Sequence, residues 1–375
     1  MSGGPWVGLS LMPTDDFRRA ALPLFEGGLV EGLQWSFDTV DEIDWFIPLL
    51  NAYEEAGRLS GHGVHLGMLS GAWTDRQKAW LAAMERNAKT RRYSRISEHW
   101  GFTTAGDFLS GAPLPVPFSR PCLQLGKNRL QHFARAAQVP IGLENLAFAF
   151  SGVDALMHGS FLDDLLREVD GFVLLDLHNL YCQVENCAID PVALIESYPL
   201  DLVQELHLSG GSTSQSEGRR TIRRDTHDGE VPDAVFEMAE LALRRCPNVK
   251  AVILERLGNT IDSEQECEAF RAEFKRVLAL RDEVCGREVA EPEQSAQPKL
   301  PEISGEPDTD EALAAFQAQM LTTLFDKVGA DEIMSALRAA DACREFLPYL
   351  DTFDPAMVEV AALLTKKWAR RPTAT

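Results

Sequence analysis

Four short apolar runs of this chain each end in a residue type that binds metal ions. The runs are VPIGLE, GFVLLD, LVQELH and KAVILE, and their last residues are Glu144, Asp176, His207 and Glu255. Apolar runs of this length followed by loops are typical of buried parallel strands. The four residues follow one another at intervals of 32, 31 and 48 residues, which suits the strand repeat of a (β/α)8 barrel. We therefore expect them at the carboxyl ends of successive strands.

Two histidine-containing segments upstream follow the same pattern. The segment GRLSGHGVHLG contains His62 and His65, and YSRISEHWGF contains His99 at the end of the next apolar run. Near the start of the chain, WVGLSL at about 6–11 and VEGLQWSF at about 30–37 have the composition of strands. Eight strand candidates therefore follow in order, and the predicted fold class is an α/β fold built on a (β/α)8 TIM barrel.

The longest of the three intervals contains a further polar segment. It is RRDTHDGEVPD, with Asp225 and His227. The extra length predicts a long loop between a strand and a helix at the barrel mouth, where these barrels carry their active sites. Carboxylates and imidazoles gathered there would be costly to bury without a cation. The sequence therefore predicts a divalent metal site.

The candidate ligands are all imidazoles and carboxylates: His62, His99, Glu144, Asp176, His207, Asp225, His227 and Glu255. Such a set is large enough for several ions that share bridging carboxylates. Mixed nitrogen and oxygen ligation suits iron, manganese or zinc and argues against iron–sulfur clusters, and open positions on iron would permit O2 chemistry. An acidic residue at a strand end often caps the next helix instead, but four residues of metal-binding types in strand order favour metal binding. From the residues alone, a zinc or manganese hydrolase or isomerase stays open.

Seven ordered segments carry a family resemblance. They are SGHGVHLG, SEHWGF, GLENLAF, LLDLHNLYC, ELHLSGG, RRDTHDGEVPD and ILERLGN, and they span about residues 5–285. In this order and spacing they resemble the multinuclear non-heme iron-dependent oxidative enzymes, of which the methanobactin-forming enzyme is the best known. The resemblance implies a barrel with two or three iron ions, O2 as co-substrate, and oxidation of a residue of a ribosomally made precursor peptide. That residue is cysteine in many members and aspartate or asparagine in others.

The resemblance also implies roles for individual residues. The central ligands and catalytic residues would be Glu144, Asp176, His207 and Glu255. A second iron would be completed by His62 and His99 and bridged by Glu144, and a third would be held by Asn179, Asp225 and His227. A separate partner protein that binds the leader of the precursor peptide is a further possibility for this family.

Several residues beside these ligands need their own interpretation. Family members commonly carry asparagine where this chain has His178, and His65 interrupts a stretch of small residues. Each of these two histidines is either an added ligand or points away from the site. Glu205 and Asn145 flank ligands, and we expect them to face the other side of their strands, where they would support the ligands or pack against helices.

Two other functions fit the ligand pattern. A xylose-isomerase-like sugar isomerase or epimerase uses the same Glu, Asp, His, Glu quartet with manganese or another divalent ion. A catalytic lysine at a strand end is a common requirement there, and none stands beside these ligands. A non-catalytic protein that binds a partner through a metal ion is the third interpretation.

The composition limits the partners and the compartment. A net charge of −21 argues against nucleic acid as a partner, because a nucleic-acid groove needs a basic surface. The same excess disfavours an apurinic endonuclease, which the metal-barrel pattern alone would allow. Seven scattered cysteines suit a reducing cytoplasm. No segment approaches 18 uncharged apolar residues and MSGGPWVG does not resemble a signal peptide, so we expect a cytoplasmic protein with no membrane partner.

The chain divides into a barrel, a linker and a small helical module. The barrel is predicted over residues 1–286. Residues 287–309 are rich in proline, acids and polar residues, which predicts a disordered linker. Residues 310–375 show helical apolar spacing, with Asp310, Asp331 and Asp354 at helix starts. We expect few contacts between barrel and module, and the hypothesis for the module is recognition of the substrate or of a partner protein.

Overall fold

The computed structural model describes residues 3–40, 42–109, 111–215, 221–291, 303 and 305–370. Its strands are β1 (Trp6–Ser10), β2 (Gly32–Trp35), β3 (Leu59–Gly63), β4 (Arg95–His99), β5 (Ile141–Glu144), β6 (Phe172–Asp176), β7 (Val203–Leu208), β8 (Thr213–Gln215), β9 (Thr221–Arg223) and β10 (Ala251–Leu254). Strands β1 to β7 and β10 form one closed parallel barrel, and β8 and β9 form an antiparallel hairpin outside it. The predicted (β/α)8 barrel is confirmed.

Helices alternate with the barrel strands and continue into the C-terminal region. They are α1 (Asp15–Glu26), α2 (Phe46–Glu55), α3 (Asp75–Thr90), α4 (Arg120–Ala137), α5 (Gly152–Leu166), α6 (Leu177–Cys187), α7 (Pro191–Glu196), α8 (Asp233–Arg245), α9 (Glu264–Cys285), α10 (Glu311–Asp326), α11 (Ala330–Ala339), α12 (Leu347–Leu350) and α13 (Pro355–Trp368), with short 3-10 helices at Arg167–Val169, Gly258–Thr260 and Asp341–Phe346. Within the described part of the chain, no helix is long and apolar enough to cross a membrane.

The register of the barrel brings the strand ends to one level. His99 of β4 pairs with Glu144 of β5, and Asp176 of β6 pairs with His207 of β7. Parallel neighbours in a barrel end at the same face, and that face carries the active sites of such folds. The polar residues that terminate the apolar runs therefore meet at the barrel mouth, as the strand spacing predicts.

The other end of the barrel interior is closed by an aromatic side chain. Trp6 packs with Ala251 and Ile253 in a separate apolar cluster. A Cβ atom at Gly32 would lie 2.0 Å from Cε3 of the Trp6 ring, so only glycine leaves space for that ring. The interior is thus a packed core below the polar mouth, as in other barrels of this size.

The helical module packs against the barrel, so the expectation of few contacts between them is wrong. Helix α10 docks through Gln317, which accepts from the Gly71 amide at 2.6 Å and donates to the Leu69 carbonyl at 2.8 Å. The Phe353 ring stacks on Phe150 with centroids 3.8 Å apart. Residues of both parts belong to one continuous apolar cluster. The module is therefore an integral part of the fold rather than a tethered unit.

The segment between barrel and module is described only at its ends. Most of the predicted linker, residues 292–302 and 304, lies outside the described residues. At the near end, the Ala290 amide donates to the Gly4 carbonyl at 2.9 Å. At the far end, the buried guanidinium of Arg129 donates to the Asp308 carbonyl at 2.9 Å. Both described ends are thus tied to the barrel.

The docking of α10 generates a prediction about stability. Gln317→Leu would leave the Gly71 amide and the Leu69 carbonyl buried without partners, at a cost of about 1–3 kcal/mol for each group. We expect a fall in Tm of several degrees in a thermal melt followed by circular dichroism. Gln319→Leu is the matched control, because Gln319 bonds only Thr323 within α10. Equal melting temperatures for the two variants would contradict docking through Gln317.

Candidate metal centre

Three overlapping groups of ligand atoms lie at the mouth of the barrel. They are His62, His99 and Glu144, then Glu144, Asp176 and His207, then Asp176, His227 and Glu255. Within each group the ligand atoms lie within 4.8 Å of one another. Glu144 and Asp176 each belong to two groups, so their two carboxylate oxygens suit bridging between neighbouring ions. The three groups thus share residues and offer room for more than one ion.

The first group is built on the ends of β3, β4 and β5. The Nε2 atoms of His62 and His99 each lie 3.2 Å from Oε2 of Glu144. Behind the rings, Nδ1 of His62 lies 2.9 Å from the Ser97 hydroxyl, and Nδ1 of His99 lies 3.3 Å from the Gly63 carbonyl. Each histidine thus has one nitrogen held by the protein and the other turned to the carboxylate, which is the usual arrangement of a metal-binding histidine.

His207 of β7 is held between two carboxylates. Its Nε2 lies 3.0 Å from Oε1 of Glu205, and its Nδ1 lies 3.4 Å from Oε2 of Glu255. The Gln34 amide also donates to Oε1 of Glu205, at 2.5 Å. The expectation that Glu205 faces away from the ligands is wrong, because residues two apart on a strand share a face. Glu205 instead fixes the ring of His207 from inside the barrel.

Asp176 both caps a helix and faces the site. Its Oδ1 accepts from the Asn179 amide at 2.6 Å, which caps α6. Its Oδ2 is buried and has no hydrogen-bond partner among the described residues. Asn145 clamps the Asp176 main chain, accepting from its amide at 2.6 Å and donating to its carbonyl at 3.0 Å. One oxygen of Asp176 therefore stabilises the helix start while the other stays available to a ligand.

The long loop after β7 brings a further histidine to the site. Nε2 of His227 lies 2.8 Å from Oδ1 of Asp225, and its Nδ1 lies 3.6 Å from Oε2 of Glu255. His227 has a positive φ of 51°, a backbone conformation that is uncommon for residues other than glycine. Its carbonyl accepts from the Leu257 amide at 2.8 Å. These contacts fix the loop over the end of β10, in agreement with the loop position that the sequence predicts.

The remaining candidates lie beside the three groups. The Asn179 amide group donates to Oε1 of Glu144 at 2.9 Å, and Asp225 contacts Nδ1 of the buried His178 at 3.1 Å. His65 lines the cavity above the site. Of the predicted third set, His227 belongs to a group with Asp176 and Glu255, whereas Asn179 and Asp225 lie beside the groups. No sequence pattern indicates this division, because it depends on how the loop folds over α6.

Charges in the centre are strongly coupled. Burial raises the pKa of Asp176 well above its ordinary value, and the nearby carboxylates of Asp225 and Glu144 add to the rise. Burial also raises the pKa of Glu255, but His207 outweighs burial and holds that pKa well below its ordinary value. Burial lowers the pKa of His207, but the carboxylates of Glu255 and Glu205 outweigh burial and raise that pKa well above its ordinary value. These shifts favour protonated imidazoles beside ionised carboxylates, and a bound cation would compete with those protons.

The residues present fit divalent ions. Several buried atoms that can ligate a metal have no hydrogen-bond partner within the described part of the chain, namely Oδ2 of Asp176, Nε2 of His178 and Oδ1 of Asn179. Each such atom costs about 1–3 kcal/mol if it stays unpaired. None of the three groups contains a thiolate. The nitrogen and oxygen donors suit iron, manganese or zinc alike.

A cavity of about 420 Å³ lies above the centre. Its lining includes His99, Asn179 and Asp225 from the site and residues of α13 from the helical module. The volume falls within the range of about 300–1,000 Å³ that is typical of ligand pockets. Access to the centre is therefore shaped by both parts of the chain.

Comparisons with known proteins agree on a family. The family model for "RiPP precursor modification enzyme MbnB/TglH/ChrH" matches residues 42–279. A UPF0276 protein of Streptomyces avermitilis is 32% identical over 208 residues, covering 53% of this chain and only 41% of that protein. A UPF0276 protein of Chromobacterium violaceum is 32% identical over 200 residues, covering 53% of this chain and 70% of that protein.

Solved structures share the barrel at low sequence identity. A structure described as L-ribulose 3-epimerase is 11% identical, with a TM-score of 0.47, covering 76% of this chain and 96% of that chain. At this identity the likeness concerns the fold alone.

The position of His227 generates a prediction about metal stoichiometry. His227→Ala should lose about one metal equivalent, because it removes a side chain of one group and leaves the other two groups intact. Inductively coupled plasma mass spectrometry of anaerobically iron-loaded protein measures this loss. His132→Ala is the control, because that side chain belongs to α4, outside the three groups. The same metal content in both variants would contradict the third group.

The contact of Glu205 with His207 generates a prediction about affinity. Glu205→Gln should weaken metal binding by about 10–100-fold, the usual cost of losing a hydrogen bond behind a ligand, while full occupancy returns at high metal concentration. Competition with a chelator measures the affinity. Glu98→Gln is the control, because Glu98 is a fully buried glutamate of β4 that belongs to none of the three ligand groups. An unchanged affinity of Glu205→Gln would show that Glu205 does not support His207.

Proposed function

This chain belongs to the MbnB/TglH/ChrH family of RiPP precursor modification enzymes, and we propose that it is a multinuclear non-heme iron oxidase. Its substrate is a residue of a ribosomally synthesised precursor peptide, either cysteine or aspartate or asparagine, and its co-substrate is O2. The observation that carries the proposal is the sharing of Glu144 and Asp176 between overlapping ligand groups. A centre for two or three ions suits an oxidation that removes several electrons from one substrate.

Each of the three ligand groups would hold one metal ion. One ion would be held by His62, His99 and Glu144, a second by Glu144, Asp176 and His207, and a third by Asp176, His227 and Glu255. Bound iron would supply one-electron oxidation and O2 chemistry. Glu144, Asp176, His207 and Glu255 are thus the proposed catalytic residues.

Side chains behind the ligands keep the centre in place. Asn179 donates to Oε1 of Glu144, which leaves Oε2 directed at His62 and His99. Glu205 and Gln34 hold the ring of His207. Such preorganisation keeps the ligands within reach of an ion before the substrate binds.

The cavity suits a peptide better than a sugar. Its walls include the apolar side chains of Leu146, Phe148 and Leu364 beside the polar floor. The catalytic lysine that a sugar isomerase commonly requires is missing from the described lining. An apolar wall beside a metal centre instead excludes water and orients a peptide side chain. Recognition of the leader by a separate partner protein is compatible with this cavity.

A co-expression experiment tests the proposed function. The chain is expressed with the short peptides encoded beside its gene, with and without O2, and the peptides are analysed by mass spectrometry. We expect a mass change in one peptide that requires both iron and O2. A change that proceeds without O2, or equally well with zinc alone, would contradict an oxidase.

Asp176→Asn should abolish the modification, because it removes a charged ligand shared by two groups while asparagine can still cap α6. Asp190→Asn is the matched control, since Asp190 caps α7 in the same way, accepting from Ala193 at 2.9 Å. Circular dichroism verifies that both variants are folded. Full modification by Asp176→Asn would rule out its role in the centre.

A further inference from the structure

One face of α13 forms a wall of the cavity above the metal centre. Val360, Leu364 and Trp368 line the cavity and recur every four residues, so they lie in one row along the helix. Val360 is buried, whereas Trp368 is 45% exposed. Trp368 therefore presents partly exposed aromatic surface to the cavity. The row thus changes from core packing at one end to an open aromatic surface at the other.

The cavity also carries an apolar strip from the barrel. Leu146, Ala147 and Phe148 of the segment between β5 and α5 line it. Together with the α13 row they provide apolar surface from two separate parts of the chain. A bulky apolar side chain bound there would bury surface at about 25 cal/mol per Å².

Three arginines and one carboxylate, that of Asp225, line the same cavity, which gives its lining an excess of positive charge. Arg223, Arg224 and Arg370 all line it, although the chain has a net charge of −21. Arg223 donates to the Gly211 carbonyl and Arg224 to the Ser212 hydroxyl, and Arg370 donates to a main-chain carbonyl at the end of α13.

The arginines retain capacity to bind an anion. Among the described residues, the Nε atoms of Arg223 and Arg224 are buried without a hydrogen-bond partner. The contacts found there for Arg223, Arg224 and Arg370 go to main-chain carbonyls, a hydroxyl group and the Tyr181 ring. Guanidinium groups bind carboxylates with two parallel hydrogen bonds. The charge around the cavity is therefore complementary to an acidic side chain of a ligand.

We propose that the helical module is part of the substrate site, and that the cavity binds a precursor-peptide segment that has a bulky apolar side chain and an acidic residue close to the modified position. This inference rests on the proposed function for the chemistry at the modified residue. The apolar side chain packs between the α13 row and Phe148, and the acidic side chain binds the arginines. The peptide then continues to the floor of the cavity, where His99 and Asn179 belong to the centre.

The continuity of cavity and centre favours a peptide over other occupants. The lining reaches from Trp368 on α13 to Asp225 beside the metal-ligand groups, and the volume of about 420 Å³ admits a short extended segment but not a folded domain. A peptide also carries apolar and acidic groups at a fixed spacing along one chain. It can therefore contact the apolar wall and the arginines at the same time. The module thus contributes to specificity rather than to tethering.

A binding selection tests this site. A displayed library of short random peptides is selected against the full-length, anaerobically iron-loaded protein, and enriched peptides are sequenced. We expect enrichment of peptides that combine an aromatic or large aliphatic residue with Asp or Glu. Fluorescence anisotropy of an enriched peptide then measures affinity for each variant.

Two variants and one control make the test specific. Trp368→Ala should weaken binding about tenfold or more, and Arg370→Glu should abolish the preference for acidic peptides. Leu363→Ala is the control, because Leu363 is 50% exposed on the same helix but does not line the cavity, and it should bind like the wild type. Equal affinities of Trp368→Ala and Leu363→Ala, or enriched peptides without acidic residues, would overturn the proposal.

The same samples separate this inference from the proposed function. Binding of acidic, apolar peptides without O2 consumption would contradict the oxidase and leave the peptide site standing. If the protein consumes O2 with the enriched peptides but the Trp368→Ala variant binds them as tightly as the wild type, the peptide site alone is contradicted.

Discussion

Burial of carboxylates at the mouth of the barrel is the constraint on which the rest of the site depends. Glu144, Asp176 and Glu255 are almost fully buried, and an isolated carboxylate in such a place costs many kcal/mol. Imidazoles lie at contact distance from these carboxylates, and buried atoms that can ligate a metal lie beside them without a hydrogen-bond partner among the described residues. Cations that shared these carboxylates would balance their charge in place of protons on the imidazoles.

The barrel supplies the precision that a shared cluster requires. Pairing of His99 with Glu144 and of Asp176 with His207 places ligands from neighbouring strands at one level, and a rigid parallel sheet keeps them there. Glu205 and Asn145 then fix ring and main-chain orientation from behind. The loop that carries His227 brings its imidazole to the site from outside the sheet, and His227 has an uncommon positive φ there.

The sequence predicts the strand ends well because a buried parallel strand has a simple apolar pattern, and the polar residue that ends it is visible. The sequence-based prediction is wrong for Glu205, because Glu205 and His207 are two residues apart on a strand and therefore face the same side. It also misses the docking of the module, because Gln317 bonds main-chain groups of a distant loop and no local pattern reports such a contact. The position of α13 in the cavity wall cannot be predicted from the sequence either, because it also depends on contacts between distant segments. The ligand roles themselves stay predictions that rest on geometry and family.

Mössbauer spectroscopy of the full-length protein, loaded anaerobically with iron-57, tests the central claim most directly. If Glu144 and Asp176 bridge neighbouring ions, the spectrum after exposure to O2 contains two or three ferric sites that are magnetically coupled, with a matching iron count by metal analysis. A single isolated iron site, or a chain that takes up zinc but excludes iron, would contradict a multinuclear iron centre.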